Sequence, residues 1–521
     1  MKISLIAILK TCFFIFIAVI LVLASRGVIG NPRSTELNNP SWKQEGVFEL
    51  SPERGRFSLL YSLVEDRSFS YSVDIAKFAT PDVGYIDGKY VSLFAPGLSF
   101  IVMPGYLTGK WFNASQIGAY LVITFFAILN CLLIYKISHK ITKRTSASLL
   151  ASLIFIFATP AFAYSVNLYQ HHVSTFILLG ALYLLFFVHT WWSTFLIFLL
   201  CAVSIPVDYP NLFIMIPVGI SVLTRLIKLE IIQHKIKGQI SLPSIIAVLG
   251  VVPPLLFFMW FNTNSYGKPL QFSGTVPSVK AIDENGLPTV PDNQELKNVS
   301  EFVDTEKQDK DAVSFFSTRD TLNGFYTHTI SRDRGVIFFT PVILFGIIGL
   351  YLLSKQDYSK SVVLTFIASI TLMLYSMWGD PWGGWAFGSR YLIPVYAILA
   401  ISTSVLIAKF GRRLLLLVLF TPIFIYSVYV NTAGALGTVA SPPKEEVLFL
   451  ESQTGKIQRF SYDRSLELIQ SDNTTSIVYN YGLRNSLKLN DYFMIIVVSI
   501  SLLGVGLLLL PGYIGGKLWK K

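Results

Sequence analysis

Charge is scarce in this chain. Asp, Glu, Lys and Arg make up 14% of its 521 residues, where a soluble protein of that size carries roughly 25% to cover its surface. The shortage excludes an ordinary water-soluble domain. Cysteine is scarcer still. Cys12, Cys131 and Cys201 all fall inside apolar stretches, so neither a disulfide framework nor a cysteine metal site is available. No internal repeat and no low-complexity tract is present. The adjacent pair His171-His172 has no local third ligand, which favours a structural role over metal binding there.

Apolar length is what the chain has in abundance. Hydrophobic residues reach 53% and the mean hydropathy is +0.56. A helix needs about 20 apolar residues to cross a bilayer, and suitable stretches lie at 4–24, 117–136, 146–163, 173–189, 191–207, 209–225, 244–262, 335–353, 361–378, 391–408, 413–431 and 492–513. The expected fold is therefore all-α, a polytopic transmembrane protein. Lys2 and the Leu23-Ala24-Ser25 triplet resemble a signal peptide, but the first apolar run has the length of a retained anchor.

The net charge of +11 reads as topology, not as affinity for nucleic acid. With the N-terminus in the cytoplasm, one set of short loops carries Lys136, Lys140, Lys143, Arg144, Arg225, Lys228, Lys235, Lys237, Lys409, Arg412 and Arg413. Lys517, Lys520 and Lys521 close the chain on the same side. Short basic loops stay in the cytoplasm. Three long segments, 25–116, 263–334 and 432–491, then face outward. The expected units are a transmembrane body over 1–431, an outer loop over 432–491, and a final span with a basic tail over 492–521. The polar stretch 281–311 reads as a mobile loop, either an inert linker or a lid over substrate.

In the first outer segment, Ser51-Pro52-Glu53 offers an N-cap, a proline at the first helical position and an acid in the first turn. Phe57, Leu60, Tyr61 and Val64 follow at helical spacing, which predicts an amphipathic helix lying in the membrane interface. Its N-terminus favours the ionised form of Glu53. Ser92 to Leu107 is apolar but broken by Ala95-Pro96-Gly97 and Pro104-Gly105, and is expected to be a re-entrant or interfacial element.

Residues able to do chemistry gather on the outward side. They include Glu53, Arg56, Asp74, Asp82, Asp87, Tyr169, His171, His172, Asp208 and Tyr209, then Arg332, Asp333 and Arg334, and finally Trp378 to Trp385 with Asp380 and Trp382, Arg390 and Tyr391. Each has a plain alternative. The tryptophans suit an interfacial belt, and the arginines suit lipid headgroups. Asp208 resists dismissal, because a carboxylate at membrane depth is costly. Together they fit one reaction. A carboxylate takes a proton from a hydroxyl, arginines hold a phosphate leaving group, and aromatic faces meet a sugar ring.

Three runs carry a resemblance: Glu53-Arg54-Gly55-Arg56-Phe57, then Asp87-Gly88-Lys89-Tyr90 with Ala95-Pro96-Gly97-Leu98, and Trp382-Gly383-Gly384-Trp385-Ala386-Phe387-Gly388-Ser389-Arg390-Tyr391-Leu392. The chain resembles the GT-C membrane glycosyltransferases, in the protein-mannosyltransferase-like branch (glycosyltransferase family 39 and its aminoarabinose-transferase relatives). The last run matches the pattern W-G-G-x-x-F-G-x-R-Y-L and is the most specific.

The resemblance implies GT-C architecture, a polyprenyl-phosphate sugar donor, a glycan, lipid or protein acceptor, and Glu53 as catalytic base. It departs from the family where Arg54 replaces a second acid, and where Leu93 and Phe94 stand in place of an acid and a lysine. Arg56, or Arg332, Arg334 and Arg390, would then meet the lipid phosphate. Asp82, His172, Asp208, Tyr209, Asp380 and Trp382 complete the expected substrate site. A divalent ion suits the chemistry, but no ligand set is legible.

The expected function is sugar transfer on the outer or lumenal face of a membrane, in a multi-pass protein of a prokaryotic plasma membrane rather than the endoplasmic reticulum. Its partners are then the donor, an acceptor and membrane lipids, without nucleic acid. The alternative is a non-catalytic protein that binds or translocates lipid-linked saccharides, a reading that the missing lysine and second acid favour.

Overall fold

The apolar stretches fold as helices that run back and forth between two ends of the molecule. In this computed structural model the described residues are 5–43, 46–232, 235–240, 242–289, 315–455, 457 and 459–510. Six helices are long and apolar enough to cross a membrane: Ser115–Thr142, Ile245–Tyr266, Tyr358–Ser376, Arg390–Phe410, Leu414–Leu436 and Leu489–Leu509. Six shorter apolar helices join them: Ala7–Leu23, Thr145–Phe157, His171–Phe187, Trp191–Val207, Ile216–Leu226 and Pro341–Gln356. Each overlaps one stretch picked out by its apolar length. The chain is an all-α, polytopic membrane protein.

α1 (Leu5–Leu23) crosses first. The segment after it holds α2 (Ser51–Tyr61), α3 (Val73–Ala79), strands β1 (Val83–Ile86) and β2 (Lys89–Ser92), and α4 (Gly97–Trp111). Then come α5 (Ser115–Thr142), α6 (Thr145–Phe157), α7 (Ala161–Tyr164), α8 (His171–Phe187) and α9 (Trp191–Val207). β1 pairs antiparallel with β2 and with Ser278–Val279, so this small sheet sits at the end where the long connections gather.

Several local expectations are corrected. α2 does not lie flat with a wet face, because every residue from Glu53 to Tyr61 is buried. Its neighbours are α3, α4 and β2. Ser51 is not the N-cap; Leu50 is, without a side-chain bond, and the Ser51 hydroxyl donates to the Asp82 carboxylate at 2.5 Å. The stretch Ser92 to Leu107, expected to be a re-entrant or interfacial element, leaves β2 through a short bend at 93–96. From Gly97 it is a regular 15-residue helix with Pro104 inside. α4 is held against α5 by glycine: a Cβ on Gly118 would lie 2.1 Å from the Gly105 carbonyl oxygen. Small residues allow that approach.

The irregular backbone lies elsewhere. Span 146–163 breaks after α6, and every residue from 158 to 170 is buried. Buried in protein, such a connection is tolerated at membrane depth. Stretch 335–353 is likewise broken into Val336–Phe339, a 3₁₀ turn Pro341–Leu344 and Phe345–Gln356. Of the segment 281–311, Ala281–Ile282 pairs with Pro288–Thr289, and 290–311 lies outside the described residues, as do Lys517, Lys520 and Lys521.

Candidate functional site

A cavity of about 640 Å³ opens among the segments at the long-connection end. That volume is in the ordinary range for a ligand pocket. Its polar wall comes from four places: Arg56 of α2, Tyr169, Gln170 and His171 at the start of α8, Asp208 and Tyr209 after α9, and Arg390 with Tyr391. The remaining wall is apolar, with Phe213, Phe272, Phe315, Phe316, Met373 and Trp378 prominent.

Local structure explains how each group arrives. The run from Trp382 to Arg390 folds back because Gly383, Gly384 and Gly388 adopt φ of +70°, +62° and +58°, a region closed to most side chains. The Asp380 carboxylate accepts from the backbone N–H of Gly383 and Gly384 at 3.1 and 2.6 Å. Arg334 is fully buried and donates to the carbonyls of Trp382, Asp333, Gly384 and Ser441. Asp380, Trp382 and Arg334 thus build the loop without lining the cavity. What the loop delivers is Arg390.

Arg390 Nη2 donates to the Gly383 carbonyl at 2.8 Å, while its Nε and Nη1 are buried without a partner among the described residues. Its guanidinium lies 4.9 Å from the centre of the Tyr169 ring. Arg56 approaches the same ring at 5.4 Å and rests over Phe94 at 4.5 Å. The cation at this place is thus Arg56, carried by α2. Gly55 makes room for it, since a Cβ there would meet the Phe94 ring at 2.3 Å. Two like charges on one aromatic ring call for an anion between them.

Asp208 follows the last turn of α9 and accepts from Gln170 Nε2 at 3.1 Å. Burial pushes its carboxyl above the usual range, while Gln170 and the two arginines oppose the shift. The Tyr209 hydroxyl accepts from Ser273 Oγ at 3.2 Å.

Glu53 is placed differently from expectation. It is fully buried and does not line the cavity. Oε1 accepts from Leu168 N–H at 3.3 Å and from the Tyr120 hydroxyl at 3.4 Å. Oε2 has no partner among the described residues, nor does the hydroxyl of Tyr169. Its carboxyl is pushed up to about 7, first by burial and then by Glu49. The helix N-terminus does not keep it an ordinary carboxylate, because desolvation outweighs a terminal dipole.

The other expected residues lie apart. His172 is locked in the core, with Nε2 2.8 Å from the Ala161 carbonyl and Nδ1 3.3 Å from the Asn130 amide. Asp82 accepts from the Ser51 hydroxyl at the start of α2. Arg332 is exposed and pairs with Asp463 at 2.8 Å. Of the expected substrate residues, the cavity brings together Arg56, Asp208, Tyr209 and Arg390. Sequence reasoning passed over Gln170 and the phenylalanine wall. Among the described residues no three His, Cys, Asp or Glu side chains gather as metal ligands.

Fold and site together define a multi-pass helical membrane protein with an arginine-bearing cavity at one end. Solved structures similar to it include ArnT from Cupriavidus metallidurans in the apo state, with a TM-score of 0.44 and 11% identity, covering 97% of this chain and 78% of that one. The same protein bound to undecaprenyl phosphate aligns with a TM-score of 0.41 and 11% identity, over 96% and 78% of the two chains. No protein-family model matches the chain, and no curated protein does.

Proposed function

We propose that the protein transfers a sugar from a polyprenyl-phosphate carrier to an acceptor hydroxyl on the outer or lumenal face of its membrane. The observation that carries this reading is the convergence of Arg56 and Arg390 on Tyr169 at the polar wall of a cavity whose remaining wall is apolar. The unpartnered Nε and Nη1 of Arg390 suit two phosphate oxygens, and the phenylalanine wall suits an isoprenoid chain.

In a single displacement, the acceptor oxygen bonds to the sugar's anomeric carbon as the bond from that carbon to the phosphate oxygen breaks. The electron pair leaves with the phosphate, where the arginines stabilise it. The acceptor proton passes to a carboxylate. Among the described residues, Asp208 is the one on the cavity wall. A second assignment, Glu53, is favoured by its carboxyl near 7, well suited to a base at neutral pH. Tyr169 would have to turn aside to expose it.

Transfer is tested by supplying membranes with polyprenyl-phosphate-linked radiolabelled sugars and comparing cell-envelope glycans with and without the gene. Loss of a labelled product on deletion supports the enzyme. An unchanged glycan profile where the protein is made sinks it in favour of a non-catalytic saccharide-binding protein. Removing a positioned base lowers transfer about 10²–10⁴-fold, so Asp208→Asn and Glu53→Gln identify the base by which one falls that far.

A further inference from the structure

The charged groups facing the cavity can be balanced. Arg56 and Arg390 bring two positive charges, and Asp208 brings one negative charge. The other polar groups on the wall are the phenols of Tyr169, Tyr209, Tyr375 and Tyr391, the Gln170 amide and the His171 imidazole. His171 stacks on Tyr169 at 5.8 Å, beside the two guanidiniums, where a second proton is disfavoured. Glu53 is not on the cavity wall; it interacts with Glu49 and Arg26 and also with Tyr169 and Arg56. Among the described residues, and with Asp208 ionised as Arg56, Arg390 and Gln170 favour, the site therefore carries a net charge of about +1.

We propose that the cavity selects a ligand with a single negative charge. Resting on the donor reading above, this means a polyprenyl phosphodiester whose sugar is uncharged. The phosphodiester supplies one negative charge, and that alone balances two arginines against Asp208. An amino sugar would cancel the phosphate's charge within the ligand and leave a guanidinium unmatched. A uronic acid would add a carboxylate to a wall that already holds Asp208. Unpaired charge in an apolar enclosure is costly, so both penalties fall on binding.

The test uses the full-length protein in lipid nanodiscs and measures affinity for polyprenyl-phosphate mannose, glucose and arabinose, against the polyprenyl-phosphate aminoarabinose and galacturonate donors. The best neutral donor is expected to bind on the order of tenfold or more tighter than either charged one. Asp208→Asn, which raises the site's charge by one, is expected to shift preference toward the galacturonate donor by a similar factor. Equal or tighter binding of a charged donor by the unaltered protein overturns the inference. If all five bind alike, the charge rule fails while the donor reading stands. If none binds, the donor reading fails and this inference falls with it.

Discussion

Arg390 combines a fixed anchor with two free donors, which separates its charge from its shape. Nη2 is committed to the Gly383 carbonyl, leaving Nε and Nη1 for an anion. Hydrogen bonds to charged groups contribute about 1.5–3 kcal/mol, so Arg390→Ala should weaken polyprenyl-phosphate binding on the order of 10- to 100-fold. Arg390→Lys should recover only part of it, since an ammonium cannot reproduce the planar fork. Equal affinities for the wild type and Arg390→Ala, measured in nanodiscs, would remove it from the site.

Glu53 gives a prediction in pH. Its carboxyl, raised to about 7 in the folded protein, favours folding most fully below the unfolded carboxyl's pKa. That contribution is lost as pH rises through about 7. Glu53→Gln, neutral at every pH, should therefore narrow the gap between melting temperatures at pH 5 and pH 8. A gap as wide as the wild type's contradicts the burial account. Residues with charge were legible in the sequence because charge is rare here. Phe213, Phe272 and Met373 were not, since an apolar side chain in a chain that is 53% hydrophobic offers no contrast.

At the scale of elements, one glycine contact decides how two helices pack. Gly118 sits against the backbone of α4, so Gly118→Leu should force α4 and α5 apart. Overpacking of this kind costs about 1–3 kcal/mol and should appear as a lower melting temperature of the purified protein. An unchanged melting temperature would mean that the two helices part without cost. The pattern of α2 misled for a physical reason. Phe57, Leu60 and Tyr61 mark one apolar face, but the opposite face is buried as well. That face carries Gly55 against the Phe94 ring, while Arg54, on the same side as Phe57 and Tyr61, donates to the carbonyls of Phe78, Phe48 and Thr80 at 3.0, 3.2 and 2.9 Å. A helix satisfied in that way needs no water on its polar side, and periodicity cannot distinguish it from one lying on a membrane.

At the scale of the whole molecule, the twelve apolar helices among the described residues were legible because apolar length is a direct physical requirement of the bilayer. The breaks within them were not, because buried backbone is stabilised by neighbours distant in sequence. Orientation has its own test. With the native cysteines replaced, Glu284→Cys should react with a membrane-impermeant thiol reagent applied from outside, and Arg412→Cys should not. The opposite labelling would invert the protein and its site. One further consequence lies in α6. Its 13 residues span roughly 20 Å, about 10 Å short of the hydrocarbon thickness, and the buried connection that follows leads to Tyr169 on the cavity wall. On the proposed function the two arginines meet a ligand whose carrier chain stays in the bilayer. A donor then reaches them by two-dimensional diffusion within the leaflet. Turnover should accordingly follow the mole fraction of donor among the lipids. Diluting vesicles in buffer should leave the rate per protein unchanged, while diluting the donor with inert lipid should slow it.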